Sequence, residues 1–340
     1  MASYLWLLPT VRHAIEGDSL LFFDHAKQVS VSHVGEAGAS FVQLLDGTKT
    51  KHELSANPLS EILIPILLQN GWLVTLAESL AKVVGEREWL SRQLSYFAHI
   101  TRNQPDNILA ELAKCSILII GVGGVGSQVA FSLAASGVGR LIVVDPDVVE
   151  KSNLNRQFLY DSDDVGRRKV QVVTEKLGLR FPGVAITPIL TNFDVCQEST
   201  SLPDCDLTIV CGELRSIYTR PQIIGQRPIL VGGYWGSIGV VGPLLAPKLG
   251  TPCWQCLLEA KNPTTESTNN CSWQSMTNSW NASGSTINGV VGQLLSEVAI
   301  RFLSLTLREM LPKGERLLVD MSTLTISRDR TLECECIHRL

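Results

Sequence analysis

No apolar run in the 340-residue sequence approaches the roughly 20 residues that span a bilayer as a helix, so no transmembrane segment is expected. The opening stretch, MASYLWLLPTVRHAIEG, has neither a basic region ahead of its apolar residues nor a small-residue cleavage site, and so lacks the marks of a secretory signal. A cytoplasmic protein is expected, without a membrane partner. An excess of either charge is also missing: 29 Lys and Arg against 33 Asp and Glu leave a formal charge of −4. That balance recommends neither nucleic acid nor an anionic surface as a partner. Internal repeats are absent too. In a reducing compartment the nine cysteines do not form a disulfide framework, and their grouping matters more than their number. With 45% hydrophobic and 18% charged residues, a core of good size is available.

The chain reads as three regions. Residues 1–80 carry short β-rich runs, WLLPTVRHAI, SLLFFD and KQVSVSH. Two helical patterns follow, EAGASFVQLLDG with Gly47 as its stop and LSEILIPILLQNG ending at Asn70-Gly71, then a closing strand, WLVTL. The order predicts a small winged-helix-like α+β domain. Residues 81–112 are charged and helical around GEREWLSRQLSYF and predict a connector, with a turn at Pro105 before NILAELAK. From 113 to 340 strands alternate with helices: CSILIIG, SQVAFSLAASG, RLIVVD, KVQVVTEKLGLRF, VAITPIL, DLTIVCG, then RPILVGGYWG and IGVVGPLLAP. That alternation predicts an α/β fold, a doubly wound, Rossmann-like, mostly parallel sheet. Residues 259–284 are polar and rich in Asn, Ser and Thr, which predicts a long functional loop. A long apolar-faced helix, INGVVGQLLSEVAIRFLSLTLREML, follows it, then two strand-like runs and CECIHRL.

Gly121, Gly123 and Gly126 satisfy G-x-G-x-x-G between a strand and a helix. The first allows a tight turn, the second lets backbone approach a phosphate, and the third lets helix and strand pack closely. A phosphate then sits on the helix N-terminus. Asp145, nineteen residues past Gly126 at the end of LIVVD, is at the spacing of a ribose-binding acid. The motif alone suggests a dinucleotide. The cluster that follows does not: Asn155, Arg156, Gln157 and Lys169 lie just beyond the ribose acid, where a triphosphate needs charge neutralised and a dinucleotide does not. Arg167 and Arg168 read as a solvated helix start. No histidine falls between His99 and His338, so a dehydrogenase with a catalytic His is disfavoured.

GVGGVGS, the Asp145-Pro146-Asp147 step, NLNRQ and DVGRRK together resemble the ThiF/MoeB and ubiquitin-activating superfamily of ATP-dependent adenylyltransferases. The resemblance runs from about residue 86 to the C-terminus. It implies that Gly121, Gly123 and Gly124 line the nucleotide and that Asp145 binds the ribose. Asn153 or Asn155, Arg156 and Lys169 would hold the phosphates. Arg92, in WLSRQLSYF, resembles an arginine that reaches the partner subunit's ATP site, which implies a homodimer. One position departs from the pattern: where the family has an Asp that helps hold Mg²⁺, TIVCGELRS offers Glu213, one methylene longer and still an oxygen ligand.

Cys253 and Cys256 form one close thiol pair and Cys334 and Cys336 another, a set that fits a closed tetrahedral Zn²⁺ site of structural type. Related superfamily members carry such a zinc. The C-x-C bite of the second pair leaves His338 as an alternative ligand, and two unrelated thiol pairs remain the other reading. Cys271, in the polar loop, has no Lys, Arg or His near it in sequence to lower its pKa, so a nucleophilic role is disfavoured.

The first 80 residues resemble the PqqD-like domain that recognises ribosomally made precursor peptides. Such a domain binds a leader by adding it as a strand to a sheet edge. An oligomerisation domain is one alternative; the other, a DNA-binding winged helix, is disfavoured, because EAGASFVQLLDG carries no Lys or Arg. Together the two domains resemble the peptide-modifying enzymes of microcin C and pantocin A biosynthesis. The expectation is ATP-dependent activation of a carboxylate or amide on a precursor peptide, followed by cyclisation or dehydration of pantocin type. A microcin-type peptide adenylate, activation of a ubiquitin-like sulfur carrier, and a non-catalytic scaffold with a degenerate ATP site are the alternatives.

Overall fold

In a computed structural model the described residues are 3–85, 87–101, 104–191, 203–211, 227–246, 249, 251, 283–311 and 315–330. The chain divides into two compact units, Met1–Glu111 and Leu112–Leu340.

The first unit holds two three-stranded antiparallel sheets. One has the order β5 (Asp46–Thr50), β1 (Tyr4–Leu7), β6 (Leu73–Leu76); the other is β2 (Arg12–Glu16), β3 (Ser19–Phe23), β4 (Gln28–Val31). The run WLLPTVRHAI is therefore two strands on different sheets, not one. Pro9 has no N–H for a ladder and a fixed φ, and the chain turns at Pro9-Thr10. Around the sheets lie α1 (Gly35–Val42), α2 (Lys51–Leu54), α3 (Ser60–Gln69), α4 (Leu80–Val84), α5 (Ser91–Thr101) and α6 (Pro105–Leu112). On α5, Leu94, Phe97 and Ala98 are buried at helical spacing. Short β5 was not legible in the sequence, since DGTKT has a turn composition and pairs only because β1 lies beside it.

The second unit is built on an eight-stranded sheet. Its order is β14 (Thr325–Arg330), β13 (Glu315–Asp320), β12 (Ile238–Leu245), β11 (Ile229–Trp235), β10 (Leu207–Val210), β7 (Ser116–Ile120), β8 (Arg140–Val144), β9 (Ala185–Ile189). From β11 to β9 the pairs are parallel, and β12 to β14 extend the sheet as antiparallel hairpins. The central strands are apolar without alternation because both faces are covered: Ile117 to Ile120, Leu141 to Val144 and Leu207 to Val210 are all buried. Helices α7 (Gly124–Ala135), α8 (Lys169–Arg180) and α9 (Ser285–Leu303) complete the α/β layers. The chain leaves β7 toward β8 and β9, then crosses back to β10 on the other side of β7. That reversal opens a crevice at the carboxyl end of β7, where α/β sheets of this kind bind ligands. The last helix is shorter than its apolar pattern suggests and stops at Leu303, with Ser304 extended.

Candidate active site

The glycine loop occupies that crevice. Gly121 follows β7 with φ +86°, a conformation that side chains resist. Gly126 lies in the first turn of α7, where a Cβ would stand 1.8 Å from the Gly121 carbonyl oxygen. A side chain there forces the loop off the helix. Gly123 is the N-cap residue of α7 and, lacking a side chain, supplies no cap; the first turn of the helix carries no acid. Its leading N–H groups have no partners within the helix and, with the helix dipole, favour an anion.

Asp145 closes the other side of the loop. It is buried at the end of β8. One carboxylate oxygen accepts from the Val122 N–H at 2.8 Å and the other from the Asp147 N–H at 2.9 Å. The residue expected to hold a ribose therefore also ties the glycine loop to the turn after β8, and each oxygen keeps a lone pair for a hydroxyl. Burial raises its pKa; the nearby Lys169 charge and the two backbone N–H groups oppose that rise. Tyr160, also buried, donates from its hydroxyl to the Val122 carbonyl oxygen at 2.6 Å. Burial and the carboxylates of Asp145, Asp164 and Asp147 push the phenol well above its ordinary pKa, so it stays a neutral donor.

Lys169 opens α8, buried, with its Nζ 2.9 Å from Asp147 Oδ2, while Asp147 itself is largely exposed. A buried ammonium needs a partner. Here the partner, Asp147, is the largely exposed member of the pair. Arg156 donates through Nη1 to the Ser152 carbonyl oxygen at 2.6 Å and to Asn155 Oδ1 at 2.9 Å. Asn153 is buried and structural in its contacts: Oδ1 accepts from the Glu150 N–H at 3.1 Å and Nδ2 donates to Ser152 Oγ at 3.3 Å. Asn155, exposed beside Arg156, has the freer side chain of the two. Gln157 is buried against Gly123, with Nε2 3.7 Å from where a Cβ would sit, and its Oε1 has no partner among the described residues. The segment carrying these residues is braced from below. Buried Asp164 pairs with Arg167 at 2.9 Å and with Lys176, and Arg167 also reaches Glu175 at 2.5 Å. Arg167 thus belongs to an ion network and is not a loose solvated side chain. Arg168 donates to the Pro146 carbonyl oxygen at 3.0 Å.

Gly121, Gly123, Gly124, Gly126, Asp145, Asn153, Asn155, Arg156, Gln157 and Lys169 all lie in the second unit, on the glycine loop and the segments following β8. Sequence reasoning did not find Tyr160, whose partner is a backbone carbonyl 38 residues away, and no local pattern could have shown it. Asp147 was visible in the Asp145-Pro146-Asp147 step, but its pairing with Lys169 was not. Arg92 lies in the first unit, exposed on α5. Glu213, Cys253, Cys256, Cys334, Cys336, Cys271 and His338 lie outside the described residues, as does the loop 259–284 except for its last two positions. Among the described residues no group of three His, Cys, Asp or Glu side chains could hold a metal ion, and no helix is long and apolar enough to cross a membrane.

A family model described as ThiF family matches residues 90–336. The molybdopterin-synthase adenylyltransferase of Escherichia coli is 31% identical over 151 residues, 43% of this chain and 59% of that protein. The Nedd8-activating enzyme E1 catalytic subunit of Drosophila melanogaster is 39% identical over 113 residues, 33% of this chain and 24% of that protein. The chain thus spans less than two thirds of the length of these curated relatives. Among solved structures, E. coli MccB with ATP superposes with a TM-score of 0.67 at 20% identity, covering 99% of this chain and 98% of MccB. PaaA gives 0.62 at 19% identity, covering 87% and 97%. At such identity the likeness shows the fold.

Proposed function

Because the chain belongs to the ThiF family, we propose that it is an ATP-dependent adenylyltransferase acting on a ribosomally made precursor peptide. The observation that carries this reading is buried Lys169, paired with Asp147 and close enough to Asp145, the acid that holds the glycine loop through the Val122 N–H, for its charge to act on that carboxyl. A buried cation near the acid at the ribose spacing suits a triphosphate, where a dinucleotide needs only the loop and the acid.

In the proposed reaction a peptide carboxylate oxygen attacks the α-phosphorus of ATP. The bond from that phosphorus to the β-phosphate oxygen breaks, giving acyl-adenylate and pyrophosphate. Lys169 and Arg156 neutralise the phosphate charge as it moves to the leaving group, and the N–H groups of the Gly123-Gly124 turn hold the α-phosphate. Asp145, with Gln157 beside the loop, orients the nucleoside end. Asn155 is better placed than Asn153 to assist Arg156, since Asn153 is committed to the backbone. Magnesium, if held by Glu213 as proposed, would supply further neutralisation of phosphate charge. A Zn²⁺ held by Cys253, Cys256, Cys334 and Cys336 is proposed as a structural site. Arg92 is proposed to complete the ATP site of the partner in a homodimer.

The leader peptide is assigned to the first unit. Its sheet β2-β3-β4 ends at β2, whose five residues are all exposed, and an exposed edge strand suits strand addition. MccB has been solved with MccA, which favours a peptide over a carrier protein. The fate of the adenylate is proposed to be loss of AMP as a nucleophile within the peptide closes a ring, the pantocin-like outcome. The sulfur-carrier names among the curated relatives favour a second reading, activation of a small protein ending in di-glycine.

Mass spectrometry of the purified enzyme with ATP, Mg²⁺ and the short peptides encoded beside its gene tests these readings. A peptide lighter by one water is the expected product. A retained AMP would replace cyclisation by a microcin-type adenylate. ATP consumption only with a di-glycine-ended protein would overturn the peptide assignment.

A further inference from the structure

Asn288 lies in the first turn of α9, fully buried. Its orientation is fixed by what it donates to: Nδ2 bonds the Gly284 carbonyl oxygen at 2.6 Å and Ser283 Oγ at 3.1 Å. Only the amide nitrogen can satisfy a carbonyl, so Oδ1 faces the other way. It faces the glycine loop, where a Cβ on Gly124 would lie 2.1 Å from Asn288 Oδ1. The oxygen is buried and has no hydrogen-bond partner among the described residues. Ser283 is itself held by Tyr234 at the end of β11, so the carboxamide cannot turn away without breaking a chain of bonds.

A buried acceptor without a donor is unfavourable, and an apolar side chain would fill the same space without that penalty. Gln157 Oε1, against Gly123, is a second such atom at the same loop. Asp145 adds carboxylate acceptors, and the donors and cations of the proposed site are the start of α7, Lys169 and Arg156. Phosphate oxygens answer those and cannot answer a carbonyl oxygen, because both accept. The donors that arrive with Mg–ATP are the ribose hydroxyls, the adenine amine and the waters on magnesium.

We propose that Asn288 contacts the nucleotide: its Oδ1 accepts a hydrogen bond from a donor carried by Mg–ATP, and this bond fixes the nucleotide over Gly124. The inference rests on the ATP reading above and deepens it. It gives the turn at 283–288 a direct part in the ATP site.

Isothermal titration of Mg–ATP without peptide tests it, using the wild-type chain, Asn288→Ala and the near-isosteric Asn288→Leu. Asn288→Ala is expected to bind Mg–ATP about tenfold more weakly. Asn288→Leu fills the space without the acceptor and is expected to be as weak. Binding by Asn288→Ala within about twofold of wild type, or wild-type affinity in Asn288→Leu, would overturn the proposal and leave Asn288 a packing residue. Three further titrations identify the donor. The difference between wild type and Asn288→Ala vanishes with 2′,3′-dideoxy-ATP if the donor is the ribose, with inosine triphosphate if it is the adenine amine, and in EDTA if it is metal-bound water. A difference that survives all three means no such bond exists and also overturns the proposal. No binding of Mg–ATP by the wild-type chain would refute the adenylating function itself, and this inference with it.

Discussion

At the residue scale, the site is a set of buried polar groups whose partners are mostly backbone. Lys169 differs in that its partner is the Asp147 carboxylate, and Arg156 divides its bonds between the Ser152 carbonyl and Asn155. Replacing either by Ala is expected to lower kcat/KM by at least about a hundredfold, as loss of an electrostatic donor at a transferring phosphate does. Leader-peptide affinity, read by fluorescence anisotropy, is expected to stay unchanged; a matching loss there would sink the division of labour between the units. Tyr160→Phe removes the donor to a buried carbonyl. It is expected to destabilise the second unit by about 1–3 kcal/mol in a urea titration and to raise the KM for ATP, because Val122 is then held from one side only. Burial pushes the Cys211 thiol up to about 12. Its Cβ would lie 3.3 Å from a Cβ on Gly126, so it packs the loop and is not a nucleophile. Thiol-specific alkylation of Cys211, which is half-buried, is expected to be slow in the folded chain and to speed up on unfolding.

The scale of elements explains why the glycine loop tolerates no side chain at its third glycine. A methyl at Gly126 would overlap the Gly121 carbonyl, and neither strand β7 nor helix α7 can retreat, each being packed on both sides. Gly126→Ala is expected to abolish ATP binding and to cost about 1–3 kcal/mol of stability, the usual effect of overpacking. Calorimetry with and without ATP checks both. The loop's motif, the run of β7 and the acid closing β8 were legible in the sequence because they are local: a strand, a turn and a helix in fixed order. The partition of the first 50 residues into two sheets was not, because β5 pairs with β1 for reasons of tertiary placement, with little propensity of its own. The same holds for the last helix, whose apolar periodicity continues to Leu311 although the helix ends at Leu303.

For the whole molecule, the homodimer reading makes a sharp prediction. If Arg92 acts in the partner's site, neither Arg92→Ala nor Lys169→Ala is active alone, yet mixed subunits recover about a quarter of wild-type turnover, because half the dimers are hybrids with one intact site of two. Absence of recovery after dissociation and reassociation would confine Arg92 to its own chain. A second prediction concerns pH and the first unit. Asp106 is buried; its Oδ2 accepts from the Ala77 and Glu78 N–H groups at 2.8 and 3.2 Å, while Oδ1 has no partner among the described residues. Burial raises its pKa despite those bonds. A carboxyl that binds its proton more tightly when folded gives stability that is full below its ordinary pKa and is lost as pH rises through the raised folded value. Asp106→Asn is expected to flatten the fall in melting temperature across that window without lowering the plateau above it.

Composition, the order of strands and helices, and the spacing from Gly121 through Asp145 to Lys169 determined the fold class, the family resemblance and the list of residues proposed for a nucleotide site. They could do so because these features repeat with the period of a strand or a helix, or follow one another within a single βαβ unit. Only the tertiary structure decided what each residue does there. It tied Asp145 to both the glycine loop and the turn after β8, engaged Asn153 with Glu150 and Ser152, paired Lys169 with Asp147, and set Tyr160 and Asn288 against the glycine loop from distant parts of the chain. A buried polar atom takes its meaning from the partner that satisfies it, and here that partner comes from elsewhere in the sheet.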